Sequence, residues 1–216
     1  MAAANGCQQC GRRLTLPSSG RLPACFARFQ PPLMSNVRHL PENGAMQSLS
    51  ARIRRTARVS GHFVLRSGAV SDTYFDKYQF EADPQLLLAI AEAMKALIAT
   101  GVEVLAGLEM GGTPIVTMLS QVTGLPAAFI RKEPKEYGTC RYAEGQSLRG
   151  KRFVLVEDVV SSGGAIVDAL SKLKADGLVP EAAICVIDRQ SGGSEALGKH
   201  ALPLRALFTL EEVERA

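Results

Sequence analysis

No apolar run in this 216-residue chain is long enough to cross a bilayer, which takes about 20 residues. The longest candidate, Leu86 to Ile98, is interrupted by Glu92 and Lys95, so no membrane association is expected. Acidic residues are missing from the stretch up to Pro41, which holds five arginines (Arg12, Arg13, Arg21, Arg28, Arg38) and no lysine. That stretch carries +5 against a net charge of +4 for the chain, which leaves −1 for the rest. The basic balance belongs to the tail, and no nucleic-acid partner is expected for the folded part. A disulfide framework is also lacking. The five cysteines (Cys7, Cys10, Cys25, Cys140, Cys185) are odd in number and irregular in spacing, which points to a reducing compartment, with the cytoplasm the expected location. Cys7 and Cys10 form one C-x-x-C, but no second pair completes a tetrahedral zinc site; Cys25 and His39 stand at loose spacing. No protein metal cage is predicted.

What is present suits one α/β domain with a single core. Residues 1–45 are rich in Gly, Pro, Ser and Arg without a sustained period and read as a disordered N-terminal extension. The same composition fits a transit peptide, and an early start with Met34 or Met46 as the true initiator fits equally. Residues 46–216 form the predicted domain. Leu49, Ile53 and Ala57 recur at helical spacing within Gln47 to Val59. "HFVLRSGAVSDTYFDKYQF" reads as two strands around a Ser-Gly turn. Asp83-Pro84 opens a helix expected to run from Pro84 to Thr100. There follow a strand "VEVLAGL", a helix over Thr113 to Val122, a strand "PAAFIRK", a polar stretch without period from Glu133 to Leu148, a strand "RFVLVED", a helix over Gly163 to Asp176 and a strand "AAICVID". Continuous apolar strands alternating with helices predict a parallel sheet covered on both faces.

The most informative stretch is "FVLVEDVVSSGGAI", residues 153–166. An apolar strand ends in two adjacent acids, Glu157 and Asp158, and then opens into Val159, Val160, Ser161, Ser162, Gly163, Gly164 and Ala165. In open parallel sheets, ligands bind beyond the carboxyl ends of the strands. Small residues let the backbone approach a ligand closely, and amides at a helix N-terminus attract a phosphate. Carboxylates repel phosphate, but they accept hydrogen bonds from sugar hydroxyls. The joined stretch therefore reads as a cradle for ribose 5-phosphate. It is not a Walker loop, since no Gly-Lys-Ser/Thr follows, nor a G-x-G-x-x-G turn. A second stretch, "FIRKEPKEYGT", places Arg131, Lys132 and Lys135 at a strand end and in a Gly-bearing segment. Mobile cations of this kind would stabilise a diphosphate leaving group, and closure of such a segment would exclude water.

The first stretch resembles the 5-phosphoribosyl-1-diphosphate (PRPP) binding motif of type I phosphoribosyltransferases. The second, as R-K-x-x-K-x-[HY]-G, resembles the catalytic loop of the orotate phosphoribosyltransferases. "GHFVLRSGAVSDTYF" is similar to the N-terminal hairpin of that family, and "IDRQ", Ile187 to Gln190, to its strand ending in Asp-Arg-Gln. The resemblance implies the type I phosphoribosyltransferase fold, a central parallel sheet flanked by helices with a small N-terminal hood. It implies transfer of ribose 5-phosphate from PRPP to orotate, giving orotidine 5'-monophosphate and diphosphate, in pyrimidine biosynthesis.

Residue roles follow from the resemblance. Arg131, Lys132, Lys135 and Tyr137 would hold the diphosphate, and the segment from Glu157 to Ala165 the ribose phosphate. Arg66, Phe75, Ser161 and Arg189 would meet orotate. Lys135, Glu157 and Asp158 would carry catalysis. Mg2+ would arrive with PRPP, and the protein would be a homodimer whose lid lysine serves the neighbouring site. The chain departs from the family in three places. Tyr137 stands where His is frequent, Arg66 where Lys is frequent, and Met110-Gly111 where many members carry Tyr-Lys. Two rivals would share the fold: a purine-base phosphoribosyltransferase, and a non-catalytic PRPP-binding regulator.

Overall fold

The computed structural model describes residues 48–64, 68, 70–134 and 142–216. The N-terminal extension with its Cys7–Cys10 pair lies outside the described residues, as do Arg66, Lys135 and Tyr137.

Helix α1 (Leu49–Ala57) begins where Ser48 accepts a hydrogen bond from the Ala51 amide at 3.2 Å, and it buries Ile53 and Ala57 one turn apart. Strands β1 (Arg58–Val64) and β2 (Val70–Phe75) form an antiparallel hairpin of their own. The second strand stops at Phe75 rather than continuing to Phe80. The Asp76 side chain accepts from the Tyr78 amide at 3.1 Å and starts a short helix, α2 (Lys77–Ala82). Asp83 then accepts from the amides of Gln85 and Leu86, both at 3.0 Å, and opens α3 (Pro84–Met94) with Pro84 in its first turn. This helix is shorter than the expected span because its end tightens into a 3-10 turn over Lys95–Leu97.

The main sheet contains β3 (Val104–Leu108), β4 (Ala127–Ile130), β5 (Ala143–Gly145), β6 (Phe153–Val160), β7 (Ala183–Asp188) and β8 (Leu204–Thr209) in the order β5-β4-β3-β6-β7-β8. All neighbouring pairs are parallel except β4 with β5. The sheet is thus mostly parallel, and the polar stretch without period, Glu133 to Leu148, contributes its reversed edge strand. Helices α4 (Gly112–Thr123), α5 (Gly164–Ala175), α6 (Gly193–Gly198) and α7 (Leu210–Arg215) complete the described elements. One core lies between the sheet and α1 to α4 with α7; it holds Phe80, Ile90, Leu119 and Val156. The other lies under α5 and α6 and holds Ile166, Leu170, Leu155 and Leu197. Every residue of β3 is buried, as expected for a strand covered on both sides.

The strand order fixes the site. From β3 the chain moves outward to β4, then returns to place β6 on the opposite side of β3. The crevice between the carboxyl ends of β3 and β6 is therefore a topological switch point, the usual ligand position in such sheets.

Candidate active site

The loop leaving β6 is built from small residues for a steric reason. Gly163, the residue before α5, has φ +76°, which favours glycine. Across from it, a Cβ on Gly193 would come within 2.6 Å of the Ser161 carbonyl oxygen and 2.7 Å of Val160 Cγ1. Glycine at 193 thus lets the turn after β7 pack on the loop after β6. The Arg189 amide donates to the Val160 carbonyl at 2.8 Å, so Arg189, exposed at the end of β7, stands beside the same loop. Ser161, Ser162, Gly164 and Ala165 are exposed, whereas Val160 is buried and Val159 half-buried. The two valines anchor the loop to the sheet through Ile187 and Asp188 of β7.

The acid pair is sealed from solvent. Asp158 is 0% exposed and Glu157 9%. Asp158 does not stand alone, because Lys77 Nζ lies 2.6 Å from its Oδ2 and the carboxyl of Glu81 faces it from the same helix. Burial raises the Glu157 pKa well above the usual carboxylate range, and the neighbouring Asp158 adds to it. Burial, again with Asp158 beside it, pushes Glu81 up to about 9. For Asp158 burial acts upward too, but hydrogen bonds from Glu157, Glu81 and Lys77 outweigh it and hold the carboxyl below its ordinary value. Lys77 is the mirror case: burial lowers its pKa, and Asp158 raises it by more. Without a proton of its own, the Glu81 carboxyl would find no donor among the described residues. A proton held on Glu81 and shared with Asp158 is what satisfies buried oxygens of this kind.

The loop after β3 packs against Asp158 and the backbone of β6. A Cβ on Gly111 would stand 2.0 Å from Asp158 Oδ2, and one on Gly112 would stand 2.2 Å from the Val156 carbonyl oxygen. Two successive glycines are what this close approach requires.

A cleft of about 810 Å³ runs between the ends of β3 and β4 and the loop and helix that follow β6; neither acid lines it. The structure brings Arg131 and Lys132 from the end of β4 into its wall together with Ser162, Gly164 and Ala165. Lys172 of α5 holds the base of this segment, donating to the Lys132 carbonyl at 2.5 Å and pairing with Glu133 at 3.0 Å. Phe75 is not brought to this cleft. Its ring lies 6.5 Å from that of Phe80, and it lines a separate cleft of about 310 Å³ with Arg54 and Arg58. Lys77 and Glu81 were not foreseen as site residues. Their signal was available in "DKYQFEAD", where the two charges are spaced i,i+4 on one helical face, but reading it needed α2 to be recognised.

The phosphoribosyl transferase domain family matches residues 77–201, spanning all these elements. An orotate phosphoribosyltransferase from Nocardioides sp. is 47% identical over 169 residues, which are 78% of this chain and 94% of the relative. One from Halobacterium salinarum is 39% identical over 153 residues, 71% and 87% of the two chains. Among solved structures, the Mycobacterium tuberculosis orotate phosphoribosyltransferase in complex with Fe(III) dicitrate superposes with a TM-score of 0.70 at 28% identity, covering 76% of this chain and 96% of that one. A strand order that puts a small, helix-opening loop and a buried acid pair at one switch point agrees with these likenesses, and the chain belongs to the phosphoribosyltransferase family, within its orotate phosphoribosyltransferase group.

Proposed function

We infer that this protein transfers ribose 5-phosphate from PRPP to orotate, releasing diphosphate and forming orotidine 5'-monophosphate. The observation that carries the reading is the convergence at the β3/β6 crevice. There the Ser161–Ala165 loop, exposed apart from Gly163, follows Glu157 and Asp158 by two residues and opens a helix, and it borders a cleft that Arg131, Lys132 and Lys172 line together with Glu109, Glu133 and Asp168.

The loop amides and the Ser161 and Ser162 hydroxyls suit the 5'-phosphate at the N-terminus of α5. Asp158, held ionised, and Glu157 suit the ribose hydroxyls. As the C1–oxygen bond to diphosphate breaks, positive charge grows on the sugar and negative charge on the leaving group. Asp158 stabilises the first, and Arg131, Lys132 and Lys135 the second. Orotate N1 then forms the new bond to C1. Arg189 and Arg66 are the guanidinium groups suited to the orotate carboxylate, with Ser161 assigned to the base and Tyr137 to the diphosphate. Lys135 is the candidate for proton transfer near the leaving oxygen. Asp158, buried and held ionised beside Lys77 Nζ, is a hard oxygen donor of the kind that suits a cation brought in on substrate oxygens. When bound with PRPP, Mg2+ supplies neutralising charge on the diphosphate. The homodimer with a shared lid, the cytoplasmic location and the division into a 1–45 extension and a 46–216 catalytic domain complete the proposal.

Incubation with PRPP, Mg2+ and orotate, followed by orotate's ultraviolet absorbance, tests it. Loss of orotate absorbance matched by diphosphate release is the expected result. Consumption of adenine, hypoxanthine or xanthine with none of orotate would replace it with the purine-base reading.

A further inference from the structure

We propose that Lys77 serves two partners in turn, Asp158 in the free protein and the diphosphate of PRPP once the ribose hydroxyls have taken that carboxylate. The inference rests on the reading of the site given above and adds a substrate-contacting cation to it.

Three observations place the ammonium there. First, Lys77 Nζ lies 2.6 Å from Asp158 Oδ2, a charge-assisted contact for which substrate hydroxyls would compete. Second, the same Oδ2 would be 2.0 Å from a Cβ on Gly111. The ammonium and the loop after β3 therefore meet at one atom. Third, that loop carries no cation of its own. Its residues are Glu109, Met110, Gly111 and Gly112, and Met110 is exposed. Arg131 and Lys132 stand past β4, on the far side of β3 from β6. A diphosphate leaving the ribose toward the β3 loop has those two cations on one flank and Lys77 on the other.

The side chain is free to make the move. Lys77 is 32% exposed while Asp158 is fully sealed, and its four-carbon stem ends in a compact charge that reorients readily. Asp158 is the carboxylate that Lys77 pairs with, and substrate hydroxyls address that same group.

The test compares PRPP with ribose 5-phosphate, which keeps the hydroxyls and the 5'-phosphate but lacks the diphosphate. Both are titrated calorimetrically, with Mg2+, into the wild-type protein, Lys77→Gln and Lys77→Arg. Gln retains a donor for Asp158, so the buried acid stays partnered. The expected result is a loss of about tenfold or more in PRPP affinity for Lys77→Gln, the size of a charge-assisted bond to phosphate. Ribose 5-phosphate affinity should be unchanged or improved, and Lys77→Arg should recover most of the PRPP affinity. Parallel losses for both ligands would overturn the proposal, because they would mean that Lys77 only supports Asp158. An undiminished PRPP affinity in Lys77→Gln would overturn it as well. Orotate turnover by the wild-type protein tests the underlying reading separately, since neither titration uses a base.

Discussion

Replacing Glu81 by Gln should flatten the pH dependence of stability. Glu81 has an ordinary pKa near 4.5 and is pushed up to about 9 in the folded protein, by burial first and then by Asp158. Between those values the folded protein holds a proton at this site that the unfolded chain has released. Unfolding therefore releases a proton, and stability falls as pH rises across the window, fully retained below about 4.5 and lost by about 9. One proton corresponds to a slope of about 1.4 kcal/mol per pH unit. Asp158 has the opposite sign, because its folded pKa lies below the ordinary 3.8; its contribution is lost only as pH falls below that range. It therefore leaves the region from pH 5.5 to 8 to the raised carboxyls. Glu157 adds a slope of the same sign as Glu81, so the wild-type slope alone does not isolate one group, whereas the difference between wild type and Glu81→Gln does. Glutamine keeps the shape and a donor toward Asp158 but cannot titrate. Urea denaturation at pH 5.5, 6.5 and 7.5 should show the variant losing stability less steeply than wild type by roughly one proton's worth, about 1.4 kcal/mol per unit. Parallel slopes for the two proteins would refute the claim that Glu81 is held neutral against Asp158.

Gly111→Ala should destabilise by about 1–3 kcal/mol as an overpacked site. Its φ of −63° is ordinary, so the cost lies wholly in the 2.0 Å contact with Asp158 Oδ2. A melting temperature within error of wild type, with full turnover, would contradict that contact. Gly164→Ala is its opposite, because a Cβ there meets nothing closer than 3.8 Å. It should raise stability by about 0.5–1 kcal/mol through better helix propensity, and thermal melting will show whether the sign holds. Exchanging both Glu157 and Asp158 for their amides should lower kcat by about 10²-fold or more if they stabilise the charged ribose; a steady-state assay with unaltered turnover would remove the acids from the reaction. Lys135→Ala should lower kcat far more than it weakens PRPP binding, within the roughly 10²–10⁴-fold that proton transfer supplies. Unaltered kcat would reject its assignment.

The parts of this site that the sequence made legible are those in which chemistry and chain order coincide. The β6 strand, its acids and the loop into α5 are contiguous, so period, charge and small residues can be read along one stretch of "FVLVEDVVSSGGAI". The buried strands β3 and β7 were legible for the same reason, since a continuous apolar run needs no partner to be recognised. What escaped was short or remote. The edge strand β5 has three residues, Ala-Glu-Gly, and reverses direction without any apolar signal. Helix α2, six residues long, merged with the aromatic end of β2 until the Asp76 cap separated them. The electrostatics of the acid pair were hidden most deeply. Lys77 and Glu81 reach Asp158 across some eighty positions of sequence, and Gly111, whose importance lies in the side chain it lacks, packs on the same carboxyl. Adjacent acids suggest two like charges in search of hydroxyls. The structure instead leaves one ionised carboxylate, Asp158, braced by two raised carboxyls and one lysine. The charge offered to a sugar therefore depends on α2 as much as on β6, and a substitution in α2 that leaves the strand untouched should alter what that acid can hold.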